Sequence, residues 1–145
     1  MAERFSQNLS ELPSCLIPVP LHLDRLQERG FNQAYLLAKI IGAKLRIPVV
    51  WNQVKKRHAT QAQASLSIEQ RKDNLKDIFE VNSNFPSKYR SKVAIIDDVM
   101  TTGQTVSSLT MALKAIGVQQ VEIWCCCRAL KPEISHRSPL LKAIL

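Results

Sequence analysis

The segment Val93 to Cys127 constrains the fold more than any other part of this 145-residue chain. It opens with four consecutive apolar residues, Val93-Ala94-Ile95-Ile96, a run suited to a strand covered on both faces, as in a parallel sheet. After Asp97-Asp98 and the loop Met100 to Gln104, a helix is predicted from Thr105, with Val106, Leu109, Leu113 and Ile116 on one face. Gly117 stands where a helix C′ residue belongs. Val118 to Cys127 then reads as another strand. That order is a βαβ unit, whose crossover should be right-handed. The expected class is α/β: a single-domain, Rossmann-like parallel sheet flanked by helices.

The flanking segments fit one such domain, residues 1–145. Upstream, Cys15 to Val19 predicts a short apolar strand and Pro20 to Gly30 a charged loop. Ala34, Leu37, Ala38, Ile41 and Leu45 follow the helical series, interrupted only by Gly42. Ile47-Pro48 stops that helix, and Val49-Val50-Trp51 reads as the next strand. Lys55 to Lys76 is polar and basic, with six Lys or Arg against two acids. Ser67-Ile68-Glu69-Gln70 matches a capping box, so a short helix is expected from Ile68. Ile78 to Val81 alternates like a strand, and Asn82 to Ser91 is a turn-rich connector. The tail 130–145 offers no clear element. No internal repeat or low-complexity segment is present.

Composition narrows the class further. With 46% hydrophobic and 22% charged residues the sequence is that of a soluble globular protein. No apolar run approaches the ~18 residues of a membrane span, so no membrane partner is expected. The N-terminus has acids at Glu3 and Glu11 and no apolar core of a signal peptide. A cytoplasmic protein is the expectation. The net charge of +8 would serve DNA, a membrane surface or a polyphosphate substrate equally, or form a solvated basic face. No helix-turn-helix, finger or basic–aromatic stacking pattern is visible in the sequence. Cys15, Cys125, Cys126 and Cys127 contain no CxxC pair, and His22, His58 and His136 are far apart, so neither a zinc site nor a disulfide is expected. Ile123, Cys125 and Cys127 alternate as small apolar residues on a strand face would.

The candidate site is the loop between the apolar strand and its helix. In open α/β sheets ligands lie beyond the carboxyl ends of the strands. A helix N-terminus there favours an anion through its unpaired N–H groups and its dipole. Gly103 lets the chain turn tightly, and Thr101, Thr102 and Thr105 add hydroxyl donors. The loop lacks a lysine and is too short for a nucleoside-triphosphate cradle, but suits one monoester phosphate. Asp97 and Asp98 are expected to close the strand. Where the chain begins to turn, both could accept from a ribose diol or hold Mg²⁺ through water. The alternative is a helix N-cap by Thr or Asp, with the second Asp solvated.

The whole string Val93 to Val106 resembles the signature of the type I phosphoribosyltransferases, which bind 5-phosphoribosyl-1-pyrophosphate (PRPP). The resemblance implies that fold and a phosphoribosyl transfer, a glycosyltransferase reaction. It implies ribose contacts from Asp97 and Asp98, and 5-phosphate contacts from Met100, Thr101, Thr102, Gly103, Gln104 and Thr105. Mg²⁺ would be the cofactor, held through substrate and by Asp97 and Asp98. Ile17 to Ala38 is similar to the ComF competence-protein branch, as is the looser pattern Arg57, Thr60, Gln63, Leu66, Arg71, Asn74, Phe79. Together these segments cover more than half the chain. They imply a pyrophosphate site near Val19 to Gly30, with Arg25, Arg29 and Gly30. The other reading of Leu23 to Arg29 is an exposed helical turn with intrahelical ion pairs.

The resemblance also implies a lid over substrate at 55–76, carrying Arg57, Gln63 and Arg71. Implied partners are PRPP and a small nitrogen acceptor, with no residue assigned as a catalytic base. A DNA-associated or non-catalytic nucleotide-binding role in competence is the alternative. An oligomer, such as a homodimer whose second subunit completes the site, also remains open. Many ComF-like proteins carry a Cys-rich zinc module before this region, and this sequence starts without one.

Overall fold

The structure, a computed structural model, describes residues 12–21, 23–57, 78–128 and 141–143. The elements are β1 (Cys15–Pro18), α1 (Leu23–Arg29), α2 (Gln33–Leu45), β2 (Val54–Lys56), β3 (Phe79–Val81), β4 (Lys92–Met100), α3 (Gln104–Ala115), β5 (Gln120–Arg128) and β6 (Leu141–Ala143). β1, β4, β5 and β6 form one sheet in that order, and every pairing is parallel. The register sets Ile17 beside Ile95 and Ile95 beside Ile123.

The run Val93 to Ile96 is apolar throughout because β4 is covered on both faces, and all four residues are buried. On one face Val93 and Ile95 pack with Val106, Leu109 and Leu113 of α3 and with Phe79 and Phe85. On the other, Ala94 and Ile96 pack with Leu16, Ala38, Ile47 and Trp124 beneath α2. α3 ends as its sequence predicts, with Gly117 in the left-handed region at φ 92°.

Three expectations change. Val49 to Trp51 forms no strand but a single parallel bridge, Leu16 to Val49, tied by Leu16 N–H to Pro48 O and Val50 N–H to Leu16 O. The charged loop at 20–30 is largely the helix α1, since Leu23 to Arg29 contains no breaker until Gly30. β6 joins the sheet from a tail with no local strand signal, and β2 pairs antiparallel with β3 across residues distant in sequence. The capping-box segment Ser67–Gln70 lies outside the described residues. Among the described residues no helix is long and apolar enough to cross a membrane.

Candidate functional site

β4 does not stop at the two acids. It continues to Met100, because β5 is equally long and pairs Val99 with Cys127 and Met100 with Arg128. Asp97 is buried, at 9% exposure. Asp98 is half-buried. Their carboxylates nevertheless interact. Burial first, then the charge of Asp98 and its side-chain contact, push the Asp97 carboxyl from 3.8 up to about 6. The Asp98 backbone N–H and the Lys56 ammonium pull the other way. Cys126 on β5 has its thiol raised by burial, then by Cys127 and Asp98.

The turn that follows is built on Gly103, which takes φ 77° and ψ 1° as N-cap of α3. A glycine has no side chain to cap with, and Gln104 N–H instead donates to Thr102 Oγ1 at 3.4 Å. Ser107 N–H to Gly103 O, 2.9 Å, is an early helical bond. The amides of the first turn have no intrahelical acceptors, and no acid lies in that turn to repel an anion. Met100 differs from its neighbours: its side chain is buried in the core below Gly103, so only its backbone is available to a ligand.

A second wall comes from the segment after β1. α1 ends at Gly30, φ 73°, whose N–H donates to Leu26 O. Asn32 then caps α2 by accepting from Tyr35 N–H at 3.2 Å, while its amide donates to Val19 O at 3.0 Å. Val19 N–H in turn donates to Ile96 O. This relay ties the start of α2 to the exit of β4. The result is a cleft of ≈ 680 Å³ lined by Arg29, Phe31, Gln33, Asp98, Val99 and Thr101.

Of the expected site residues, Arg29, Asp98 and Thr101 therefore meet in one cleft. Asp97 faces inward beside Asp98, and Thr102, Gly103, Gln104 and Thr105 form the adjoining turn without lining the cleft. Arg25 sits on α1, its side chain outside the described residues, as are Gln63 and Arg71 entirely. Arg57 pairs with Glu80 at 3.4 Å on an exposed edge beside β3. Phe31, Gln33 and Lys56 are additions that sequence reasoning missed. The Asn32 capping pattern pointed to the start of α2, but nothing local pointed to what lies across the cleft.

Residues 29–142 match the phosphoribosyl transferase domain family. This chain belongs to that family. Within it the protein is ComF-like: it is 40% identical over 122 residues to competence protein F of Haemophilus influenzae, covering 82% of this chain and 52% of that one. It is 38% identical over 120 residues to the DNA utilization protein YhgH of Escherichia coli K12, covering 83% and 52%. The chain thus spans about half the length of these curated relatives. Adenine phosphoribosyltransferase from Saccharomyces cerevisiae shares the fold at TM-score 0.53 and 16% identity, over 88% of this chain and 63% of that one. The parallel sheet flanked by helices is the type I phosphoribosyltransferase fold.

Proposed function

We propose that this phosphoribosyltransferase-family protein binds PRPP with Mg²⁺ in the cytoplasm and transfers the phosphoribosyl group to a small nitrogen acceptor. The observation carrying this reading is the convergence of Arg29, Asp98 and Thr101, from three separate segments, on one cleft. A cation, a carboxylate and a hydroxyl-bearing turn suit a ligand that is anionic at both ends with a diol between them.

In this reading the 5-phosphate accepts from the first amides of α3 and from Thr101, Thr102 and Thr105. The ribose hydroxyls donate to Asp97 and Asp98, and Arg29 neutralises the pyrophosphate. Held in this way, the acceptor nitrogen forms its bond to C1 as the C1–O bond breaks, and the electron pair leaves with pyrophosphate. No protein nucleophile takes part. The two carboxylates fit Mg²⁺, a hard cation that keeps waters and needs only one or two protein oxygens beside substrate phosphates. Among the described residues no cluster of three or more His, Cys, Asp or Glu exists to hold a metal unaided, which accords with an ion arriving on its substrate. When bound, Mg²⁺ would offset the repulsion within the acidic pair and the charge of the leaving group.

Calorimetry with PRPP, with and without Mg²⁺, tests binding, and pyrophosphate release over a panel of nitrogenous bases tests transfer. Wild type should bind and release pyrophosphate with at least one acceptor, and Asp98→Asn should bind far more weakly. Absence of any PRPP heat in wild type removes the site. Binding without pyrophosphate release from any acceptor removes the transfer step.

A further inference from the structure

A second cleft of ≈ 560 Å³ shares no lining residue with the first and is lined by Tyr35, Lys39, Arg46 and Trp51, with Gly42 and Val49 among its other residues. Its shape depends on Gly42: a Cβ there would stand 2.7 Å from Ile47 O and 2.8 Å from Val49 Cγ2. The missing side chain lets residues 47–51 run close against α2. Ile47 N–H donates to Gly42 O, and the bonds between Leu16 and the 48–50 backbone fix the segment to β1. Trp51 is thereby held at the rim, 59% exposed, its ring 5.9 Å from Tyr35 at 66°. Lys39 Nζ stands 5.8 Å from the Tyr35 ring centre.

Exposing an indole without a covering partner loses the free energy its burial would supply, and neither cluster of the core recruits it. The surrounding charge has a single sign. Residues 31–57 contain six Lys or Arg and no Asp or Glu. Flat aromatic faces beside cations, with no acid nearby, match the chemistry of a base with its phosphate. The cleft volume is within the range of small-ligand sites.

We propose that this cleft is a stacking site for single-stranded nucleic acid, with one base on the Trp51 face and backbone phosphates on Lys39 and Arg46. Leu36 and Ile40 are also exposed on α2, and a second copy of the chain would be the other occupant. An apolar dimer face does not account for the run of cations, which a polyanion does.

The chain supplies its own optical test, because its other tryptophan, Trp124, is 3% exposed. A 15-nucleotide oligothymidylate titrated into the full chain should quench the emission of Trp51 and leave a residual signal from Trp124. By anisotropy of a labelled oligonucleotide, Trp51→Ala should weaken binding at least about fivefold, as loss of one stacked base does, and Trp51→Phe should restore most of it. Lys39→Ala with Arg46→Ala should flatten the salt dependence by about one unit of slope. Asp98→Asn should bind the oligonucleotide as wild type does. Unquenched emission, equal affinity in Trp51→Ala and wild type, or parallel loss in Asp98→Asn would each overturn the assignment. So would Trp51 emission that shifts with protein concentration as a dimer forms in sedimentation.

Discussion

The two ends of the β4–β5 pair each carry a carboxylate of equal burial: Glu122 and Asp97 are both 9% exposed. Their surroundings are opposite. Near the start of the strands, Glu122 has the Lys92 ammonium at 3.1 Å and accepts from Trp124 Nε1 at 3.0 Å. At the far end, the charge against Asp97 is that of Asp98, with Lys56 as the weaker opposing influence. The first end is electrostatically complete within the chain, and a buried pair of that kind is costly to break from one side. The second is incomplete, and a diol or a cation is what it lacks. Equal burial therefore says nothing about role; the sign of the neighbouring charge does.

The largest effect expected from this contrast is at the completed end. Lys92→Ala should lower unfolding stability by about 3 kcal/mol, read as a shift in urea midpoint at constant slope. The increment in stability given by PRPP with Mg²⁺ should stay as in wild type, and a loss of that increment would mean the two ends are coupled.

At the incomplete end, PRPP with Mg²⁺ at one hundred times its dissociation constant should stabilise wild type by about 2.7 kcal/mol. Asp98→Asn should show little of this in the same thermal-shift measurement; an equal shift in both proteins would take Asp98 out of the ribose contacts.

Asp97 should respond in the opposite sense to an ordinary paired carboxylate. Its folded value of about 6 lies above its unfolded value near 3.8, so the native state holds more protons between them and stability falls as pH rises through that window. Asp97→Asn should therefore stabilise the ligand-free protein by about 1 kcal/mol above pH 6, less than the full shift implies because water still reaches the site. It should also flatten the pH profile between 4 and 6 and weaken PRPP. A variant less stable than wild type at pH 7 would contradict the assignment.

The smallest effect expected is from Thr102→Val, which should cost about 1 kcal/mol of PRPP affinity through one lost donor. Unchanged affinity in calorimetry would confine that hydroxyl to its bond with Gln104 N–H.

The βαβ core of this architecture was legible before any coordinates. Four apolar residues in a row, helical spacing from Val106 to Leu113, and glycines at 103 and 117 are local signals, and the chain obeys them. The site was legible in part for the same reason: Asp97 to Thr105 is contiguous, so neighbours in sequence had to be neighbours in space. The facing wall was not. Phe31 and Gln33 reach Asp98 and Thr101 only because Asn32 ties α2 to Val19 and Val19 is bonded to Ile96.

The basic–aromatic cleft shows the same division. Tyr35 and Trp51 are separated by sixteen positions in sequence and give no stacking pattern when read along the chain. Gly42, met in the sequence as an interruption of a helix, is the residue whose small size lets the two aromatics face each other.

Sequence alone determined the class of fold, the turn that opens α3 and the acidic pair before it, since periodicity, capping and glycine placement act over a few residues. Tertiary structure decided that Asp97 is buried against a like charge, that Arg29 joins the cleft, and that Trp51 remains outside the core. Those outcomes depend on which distant segments pack together, and the energy of a charge or an aromatic ring is set by that packing.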